Sequence, residues 1–189
     1  IKGKIWYREG RLEPINVPAV DEWLSDKVHH TFNLEKLTED SFENVRPRGV
    51  IDMVPGEIVT TDAGYASEVK AADDILKIAV IERHRHTGHI GIGYLKGYGL
   101  KEGAVATSIS HDSHNIIVVG SNDDDMAAAA NRIIENNGGI AVVNQGQILG
   151  EVILEIAGLM SEKALTKVND ALENAKEQAK ILGVSEGID

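Results

Sequence analysis

An apolar run at residues 75–81 restricts the fold of this chain more than any other segment does. Six of its seven residues are apolar, and Lys77 is the exception. Alternating polar and apolar residues are typical of a strand with one solvated face, whereas a run of this kind suits a strand that is buried on both faces. The run therefore favours a layered domain in which helices pack on a sheet.

Other short apolar segments, bounded by Gly, Pro or Asn, add further strands to this prediction. The last two should pair as an antiparallel hairpin, because the turn pair Gln145-Gly146 separates them. The predicted strands are residues 49–54, 58–61, 104–109, 116–119, 140–143 and 148–154.

Two segments show the spacing of amphipathic helices. Residues 123–135 are predicted to form a helix with Asn122 or Asp123 as its cap, and their acidic first turn suits the positive end of a helix. Residues 161–182 repeat Ala and Leu at helical spacing, with Ser161 as a candidate cap. Together with the strands, these helices predict an α+β fold class, with a mixed, largely antiparallel sheet flanked by helices.

The start of the chain predicts a β-hairpin separate from this sheet. Residues 1–15 alternate loosely on either side of a turn at Gly10. We expect a hairpin, a linker with a short helix, and the α+β domain, at residues 1–17, 18–45 and 46–189. Both ends are expected to be cut from a longer protein, so that the α+β domain is truncated at its C-terminal end.

Charge and composition exclude several classes of function. The net charge of −11 argues against nucleic-acid binding, which needs a basic face, and against an anionic membrane surface. The absence of cysteine excludes disulfides, thiolate metal sites and a cysteine nucleophile. No apolar run approaches the roughly 18 residues of a membrane span, and no signal peptide opens the chain. The expected location is the cytoplasm.

Glycine recurs five times between residues 88 and 99, a frequency that is typical of tight bends. The spacing matches neither the phosphate-binding Walker motif nor the G-x-G-x-x-G fingerprint. Just before this region, Asp73, Asp74 and Lys77 are expected to form a solvated start to the buried strand rather than an acid/base set.

Five of the seven histidines lie within residues 84–114. Histidine titrates nearest neutral pH and is the commonest metal ligand in proteins. His84 and His86 are two residues apart and would share a face if the preceding strand continued through them. With His111 and His114 they form a weak candidate metal site. The alternative is a polar strand end whose neighbouring arginines face solvent or pair with acids.

Five consecutive hydrogen-bonding side chains stand between two predicted strands, where a simple connection would use Gly, Pro or one Asn. They are His111, Asp112, Ser113, His114 and Asn115. Such a loop offers donors, acceptors and a proton carrier, and an Asp can orient an adjacent imidazole. The alternative is a turn closed by its own side chains. A serine-nucleophile triad is disfavoured, because residues this close in sequence rarely reach the required geometry.

A series of segments occurs in colinear order between residues 32 and 182. It includes KIAVIERH at 77–84, TG at 87–88, GYGLK at 97–101, GA at 103–104, SHDSHN at 110–115, GG at 138–139 and IAGLMS at 156–161. Taken together, these segments resemble the C-terminal domain of the bacterial and archaeal adenine deaminases of the amidohydrolase superfamily. The HDSHN and GLMS parts are the most specific.

This resemblance implies an enzyme that hydrolyses adenine to hypoxanthine and ammonia with a metal-activated hydroxide in a (β/α)8 barrel. The barrel and its divalent metal, manganese or iron, would lie upstream of Ile1, so no cofactor is expected in this chain. The hairpin would be the remnant of a β-sandwich beside the barrel. The implied partners are the chain's own barrel, adenine, and further copies in a homo-oligomer.

On this resemblance, the loop of residues 111–115 supplies the catalytic candidates and is expected to face the barrel mouth. Arg83, His84, His86 and Asn115 are expected to bind substrate or to face the barrel. We expect the isolated chain to be inactive. Two alternatives stay open, namely a non-catalytic domain that buttresses or dimerises the enzyme and an independent histidine-rich metal-binding module.

Overall fold

Eight of the strands form one mixed sheet, and helices cover it on both sides. The structure, a computed structural model, describes residues 2–3, 5–14, 16, 18–44, 46–54 and 56–186. The described strands are β1 (Tyr7–Arg8), β2 (Arg11–Leu12), β3 (Arg48–Met53), β4 (Thr60–Ala66), β5 (Leu76–Ile81), β6 (Ile90–Lys96), β7 (Ala104–Thr107), β8 (Ile116–Gly120), β9 (Gly139–Asn144) and β10 (Gln147–Ile153). The described helices are α1 (Glu22–His29), α2 (Asp123–Glu135) and α3 (Leu165–Ile181), with short 3₁₀ turns at Glu39–Phe42 and Ala71–Asp73.

The order of the large sheet is β10-β9-β7-β8-β5-β6-β3-β4. Neighbouring strands are antiparallel except β3 and β6, which run parallel. The α+β class and the mixed, largely antiparallel sheet flanked by helices are therefore confirmed. No helix in the described part of the chain is long and apolar enough to cross a membrane.

Strand β5 lies near the middle of the sheet and is buried on both faces, as its apolar run predicts. Ala79 and Ile81 belong to the core beneath α2, while Leu76 belongs to the core beneath α3. Lys77 corrects the expectation of a solvated strand start. It is 7% exposed, donates to both carboxylate oxygens of Asp123, and donates to the carbonyl of Phe42 at 2.8 Å.

Helix α2 begins and ends where the sequence predicts. The side chain of Asn122 accepts a hydrogen bond from the backbone N–H of Asp125 at 2.8 Å, which satisfies one of the free donors of the first turn. The buried face of α2 consists mainly of the small side chains of alanines, together with Met126 and Ile133. This face packs on β7, β8 and β9.

Helix α3 corrects one predicted boundary, because it begins at Leu165 and not at Ser161. The hydroxyl of Ser161 donates to the carboxylate of Glu155 at 2.9 Å. Ser161 therefore stabilises the loop before the helix and does not cap the helix. The helix packs on β9 and β10, on the face of the sheet opposite α2.

Strand β6 was not predicted from the sequence, because its glycines suggested tight bends. Gly91 and Gly93 lie within it, so tight bends are the wrong interpretation for these two, whereas Gly88 and Gly97 do turn the chain with φ of +69° and +90°. The strand's apolar signal lies at every second residue, since Ile90 and Ile92 pack on the core beneath α2.

The segment before the large sheet contains more structure than a linker. The predicted hairpin is present as β1 and β2, and the ends expected for it at residues 1, 15 and 17 lie outside the described residues. Helix α1 follows and buries none of its residues. The predicted turn near Thr38 is the 3₁₀ turn that buries Phe42 completely.

Candidate functional site

Three loops converge at one end of the large sheet. They are residues 82–89 after β5, residues 108–115 between β7 and β8, and residues 154–161 after β10. The strand register brings them together, since the last pair of β5 with β8 is Ile81 with Ile116 and β10 ends opposite the start of β9. All the sequence-predicted site residues lie on the first two loops.

Arg83 lies in the middle of this cluster and is 1% exposed. Its Nε donates to the carbonyl of His114 at 2.5 Å, and its Nη2 donates to the carbonyl of Ala157 at 3.0 Å. Its Nη1 donates to the carbonyl and the hydroxyl of Thr31 at 3.2 and 3.1 Å. The guanidinium therefore ties together the two other loops and the segment after α1.

Packing closes the space around the guanidinium. The ring of Phe32 lies 4.2 Å from the Cζ of Arg83, within the range of a cation–π contact. A Cβ at Gly158 would lie 3.0 Å from both Nη2 of Arg83 and the Phe32 ring. Burial lowers the pKa of Arg83 from its usual value, but an arginine stays protonated in proteins, so a buried positive charge lies at this position.

Glu82 closes the first loop through its carboxylate. It accepts hydrogen bonds from the N–H of His84 at 2.6 Å, of Arg85 at 2.9 Å and of Thr87 at 3.2 Å, and from the Thr87 hydroxyl at 2.8 Å. Burial acts to raise the pKa of Glu82, but these hydrogen bonds outweigh it and lower the pKa to about 2.

His84 and His86 do not continue the strand, so the expectation of a shared strand face is wrong. Strand β5 ends at Ile81, and the carboxylate of Glu82 turns the chain immediately afterwards. The Nε2 of His84 donates to the carbonyl of Ser113 at 2.9 Å, which leaves Nδ1 as an acceptor in the neutral ring. His86 has a φ of +54°, and its Nε2 lies 3.8 Å from the Oε1 of Glu35.

The second loop combines a fixed base with an exposed tip. Ser108 at its base is fully buried, donates to the carbonyl of Gly158 at 2.6 Å and accepts from the N–H of Gly139 at 2.8 Å. At the tip, His111 and Asp112 are exposed, and the Nδ1 of His111 contacts the carboxylate of Asp112. Because a carboxylate accepts, Nδ1 carries the proton and Nε2 is the free acceptor of the neutral ring.

The end of this loop holds two buried polar atoms that have no hydrogen-bond partner among the described residues, Nδ1 of His114 and Oδ1 of Asn115. The backbone of His114 is held at both polar atoms, since its N–H donates to the carbonyl of Ser110 at 2.5 Å and its carbonyl accepts from Arg83. The ring of His114 meets that of His111 edge to face, with centroids 6.1 Å apart.

The candidate metal ligands are not brought together as a metal site. Among the described residues, no group of three or more His, Asp or Glu side chains has an arrangement that could hold a metal ion. His84 bonds a backbone carbonyl and His111 bonds a neighbouring carboxylate. The arrangement suits hydrogen bonding and proton exchange at a surface loop.

Comparison with known proteins adds the family. The adenine deaminase C-terminal domain family matches residues 56–187 of the chain, which include all three loops. The chain belongs to this family.

Longer proteins named adenine deaminase are similar to the chain over most or all of its length. "Adenine deaminase 2" of Carboxydothermus hydrogenoformans is 42% identical and covers 100% of the chain. An "Adenine deaminase" of Dehalococcoides mccartyi is 46% identical over 96% of the chain, and one of Listeria monocytogenes is 48% identical over 70%. The chain spans only 35%, 33% and 23% of these relatives, so it corresponds to part of an adenine deaminase.

Sequence reasoning missed the residues of this adenine deaminase domain that hold the loops in place. Thr31, Phe32, Ser108 and Gly158 contact Arg83 or join two loops. Most of these contacts use backbone carbonyls or small side chains, which carry no motif. The nearest signal was Arg83 itself, a charged residue directly after a buried strand.

The sequence patterns also did not reveal a polar cleft, which lies away from the three loops. It has a volume of about 360 Å³, and its lining includes Asn44, Glu68, Lys77, Tyr94 and Asp123. Lys77 is fully engaged there with Asp123 and Phe42, and the hydroxyl of Tyr94 accepts from Asn44 at 2.9 Å. These contacts join the 3₁₀ turn, the sheet and α2, so the polar groups act as structural ties.

Proposed function

We propose that this chain is the C-terminal domain of an enzyme that hydrolyses adenine to hypoxanthine and ammonia. The observation that carries the proposal is the family match over residues 56–187, with full-length adenine deaminases similar to nearly the whole chain. In this reaction water adds at C6 of the purine and the exocyclic amino group leaves as ammonia.

The metal of such an enzyme would be held outside this chain, since the described histidines and acids assemble no site for one. A divalent ion such as manganese or iron would supply hydroxide by lowering the pKa of bound water. The part of the protein that holds it, an amidohydrolase barrel, is the proposed partner of this domain, and the domain serves it in the cytoplasm as part of a homo-oligomer.

The proposed task of the loop at residues 111–115 is to face the barrel mouth. His111, with its Nδ1 held by Asp112, presents Nε2 as a group that can exchange a proton, and ammonia leaves an amidine carbon only after the amino group gains a proton. His84 contacts this loop at the carbonyl of Ser113, and the buried Nδ1 of His114 and Oδ1 of Asn115 lie at the end of the loop without a partner among the described residues.

Replacing Asp112, which holds Nδ1 of His111, or His114 by Ala in the full-length protein is expected to lower kcat/KM for adenine by about 10²- to 10⁴-fold, the usual range for a lost proton carrier. The fold should survive, because both residues lie on a loop and not in the core. Steady-state ammonia release, normalised to folded protein, is the measurement.

The matched control is Asp124→Ala, which removes an exposed acid at the start of α2, away from all three loops, and should leave kcat/KM unchanged. Wild-type turnover by a well-folded Asp112→Ala, His114→Ala double variant would show that the loop takes no part in the reaction.

A buttressing role is the second candidate, and one observation favours it. Three large apolar side chains are exposed on helix α1 and just before it: Val20 at 65%, Trp23 at 65% and Leu24 at 41%. Such a surface suits contact with another domain. On this candidate the loop variants would change stability or assembly and leave kcat/KM per folded enzyme within a few-fold of the parent.

A further inference from the structure

Arg83 presents a buried charge whose acceptors are all neutral. Its four hydrogen bonds to described residues end on the carbonyls of Thr31, His114 and Ala157 and on the Thr31 hydroxyl. A buried charge is unfavourable without compensation, and an apolar side chain would fill the same space with less desolvation. An apolar residue, however, cannot supply the rigid, forked set of N–H donors with which a guanidinium reaches three separate segments.

Direct contact between Arg83 and a substrate does not fit the geometry. The side chain is 1% exposed, Phe32 covers the guanidinium at 4.2 Å, and even a methyl group at Gly158 would crowd Nη2 at 3.0 Å. Any influence of Arg83 on a reaction must therefore pass through the residues that it holds.

His114 is the residue on which this hold acts most directly. It has a φ of +52°, a conformation that non-glycine residues adopt rarely and that needs outside support. Arg83 fixes its carbonyl at 2.5 Å and the carbonyl of Ser110 fixes its N–H at 2.5 Å. With the backbone held on both sides, the direction in which the His114 side chain leaves the backbone is set, and so is the point from which Asn115 continues the chain.

We propose that Arg83 is a positioning residue, which sets the orientation of His114 and Asn115 at the base of the loop without touching the substrate. This inference rests on the proposed function, in which that loop serves adenine hydrolysis. It places Arg83 behind the loop, whereas His84 lies beside the loop at the surface.

The test compares Arg83→Met and Arg83→Lys with Arg85→Met in the full-length protein, since Arg85 is an exposed neighbour on the same loop. Three quantities are measured for each variant: kcat and KM for adenine per folded enzyme, the melting temperature, and amide hydrogen exchange across residues 108–115. Arg83→Lys keeps the charge but not the fork, and it remains informative if Arg83→Met does not fold.

We expect Arg83→Met to lower kcat by roughly 10- to 100-fold, the scale of a small misplacement of reacting groups, with KM within a few-fold. Amide exchange should rise at residues 108–115 and not across the sheet. Arg83→Lys should recover part of both effects, and Arg85→Met should match the parent protein.

Two results would overturn the inference. One is unchanged kcat together with unchanged exchange at residues 108–115 in Arg83→Met. The other is a rise in exchange over the whole sheet with activity lost only in proportion to unfolded protein. If exchange rises locally while both Arg83→Met and His114→Ala keep full kcat, Arg83 still positions the loop, and it is the catalytic role of the loop that fails.

Discussion

Glu82 and Arg83 are neighbours in the chain, yet their surroundings stabilise their charges in different ways. The carboxylate of Glu82 accepts four hydrogen bonds from its own loop, whereas the guanidinium of Arg83 donates to three distant segments. Glu82 therefore shapes the loop to which it belongs, and Arg83 joins that loop to the others. Together they fix where His84 lies.

The lowered pKa of Glu82 predicts a dependence of stability on pH. Because the folded pKa of about 2 is below the ordinary 4.5, the ionised carboxylate stabilises the fold at pH values above about 4.5. This contribution is lost as the pH falls from 4.5 towards 2. Glu82→Gln should therefore lower the melting temperature of the chain near pH 7 and have little effect near pH 2.

The measurement is the melting temperature of the parent chain and of Glu82→Gln at a series of pH values, with Glu102→Gln as an exposed control at the opposite end of β7. A difference between parent and Glu82→Gln that stays constant from pH 7 to pH 2 would contradict the assignment of the shifted pKa to this carboxylate.

At the scale of elements, the approach of α3 to β10 depends on a missing side chain. A Cβ at Gly150 would lie 2.8 Å from the Cα of Ala175, which is backbone and cannot turn away. The helix thus rests directly on the strand, and Ala175 on its inner face is 2% exposed. Close packing of this kind leaves no room for even a methyl group.

Gly150→Ala is expected to destabilise the chain by about 1–3 kcal/mol, because overpacking forces the helix away from the sheet. Gly49→Ala is the control, since nothing lies within 4 Å of its added Cβ. Denaturant unfolding monitored by circular dichroism measures both. Equal stability of the two variants would show that α3 adjusts without cost.

The elements that could be predicted from sequence are those whose pattern matches their burial. The apolar run at residues 75–81 was confirmed as β5, and the helix predicted at residues 123–135 was confirmed as α2, with Asn122 as its cap. Strand β6 was hidden because Gly91 and Gly93 occupy every second position, so only Ile90, Ile92 and Tyr94 carried its signal. Helix α1 buries no residue, so it has no core-facing pattern to find.

The candidate site was predictable in its residues but not in its geometry. Five consecutive polar side chains between two apolar segments are recognisable in a sequence, so residues 111–115 could be predicted as a candidate site. The partners of Arg83 are backbone carbonyls and a hydroxyl, and no sequence pattern shows which carbonyls a strand order will bring together. The same strand order partly buries His114, so this burial could not be predicted from the sequence either.

At the scale of the molecule, the chain spans about a third of three adenine deaminases that match nearly all of it. The described residues assemble no metal site, and the candidate proton carriers lie on an open loop. On the proposed function, we therefore expect chemistry on adenine to need surfaces outside the described residues.

We expect the purified 189-residue chain to release no ammonia from adenine, with or without added manganese or iron. Its melting temperature should move by no more than about a degree or two on adding a divalent ion, since a ligand stabilises only the state that it binds. The full-length protein, assayed in parallel, is the positive control. Ammonia release by the chain alone would place the active site within these residues.

The separation of Arg83 from its partners along the chain has a consequence for folding. His114, Thr31 and Ala157 lie 31, 52 and 74 residues away from it, so closing these contacts carries the loop-closure entropy of most of the domain. We therefore expect these contacts to form after the strands between them have found their register. On this expectation, a chain with misregistered strands lacks an ordered loop, and the ordering of that loop is a late step of folding.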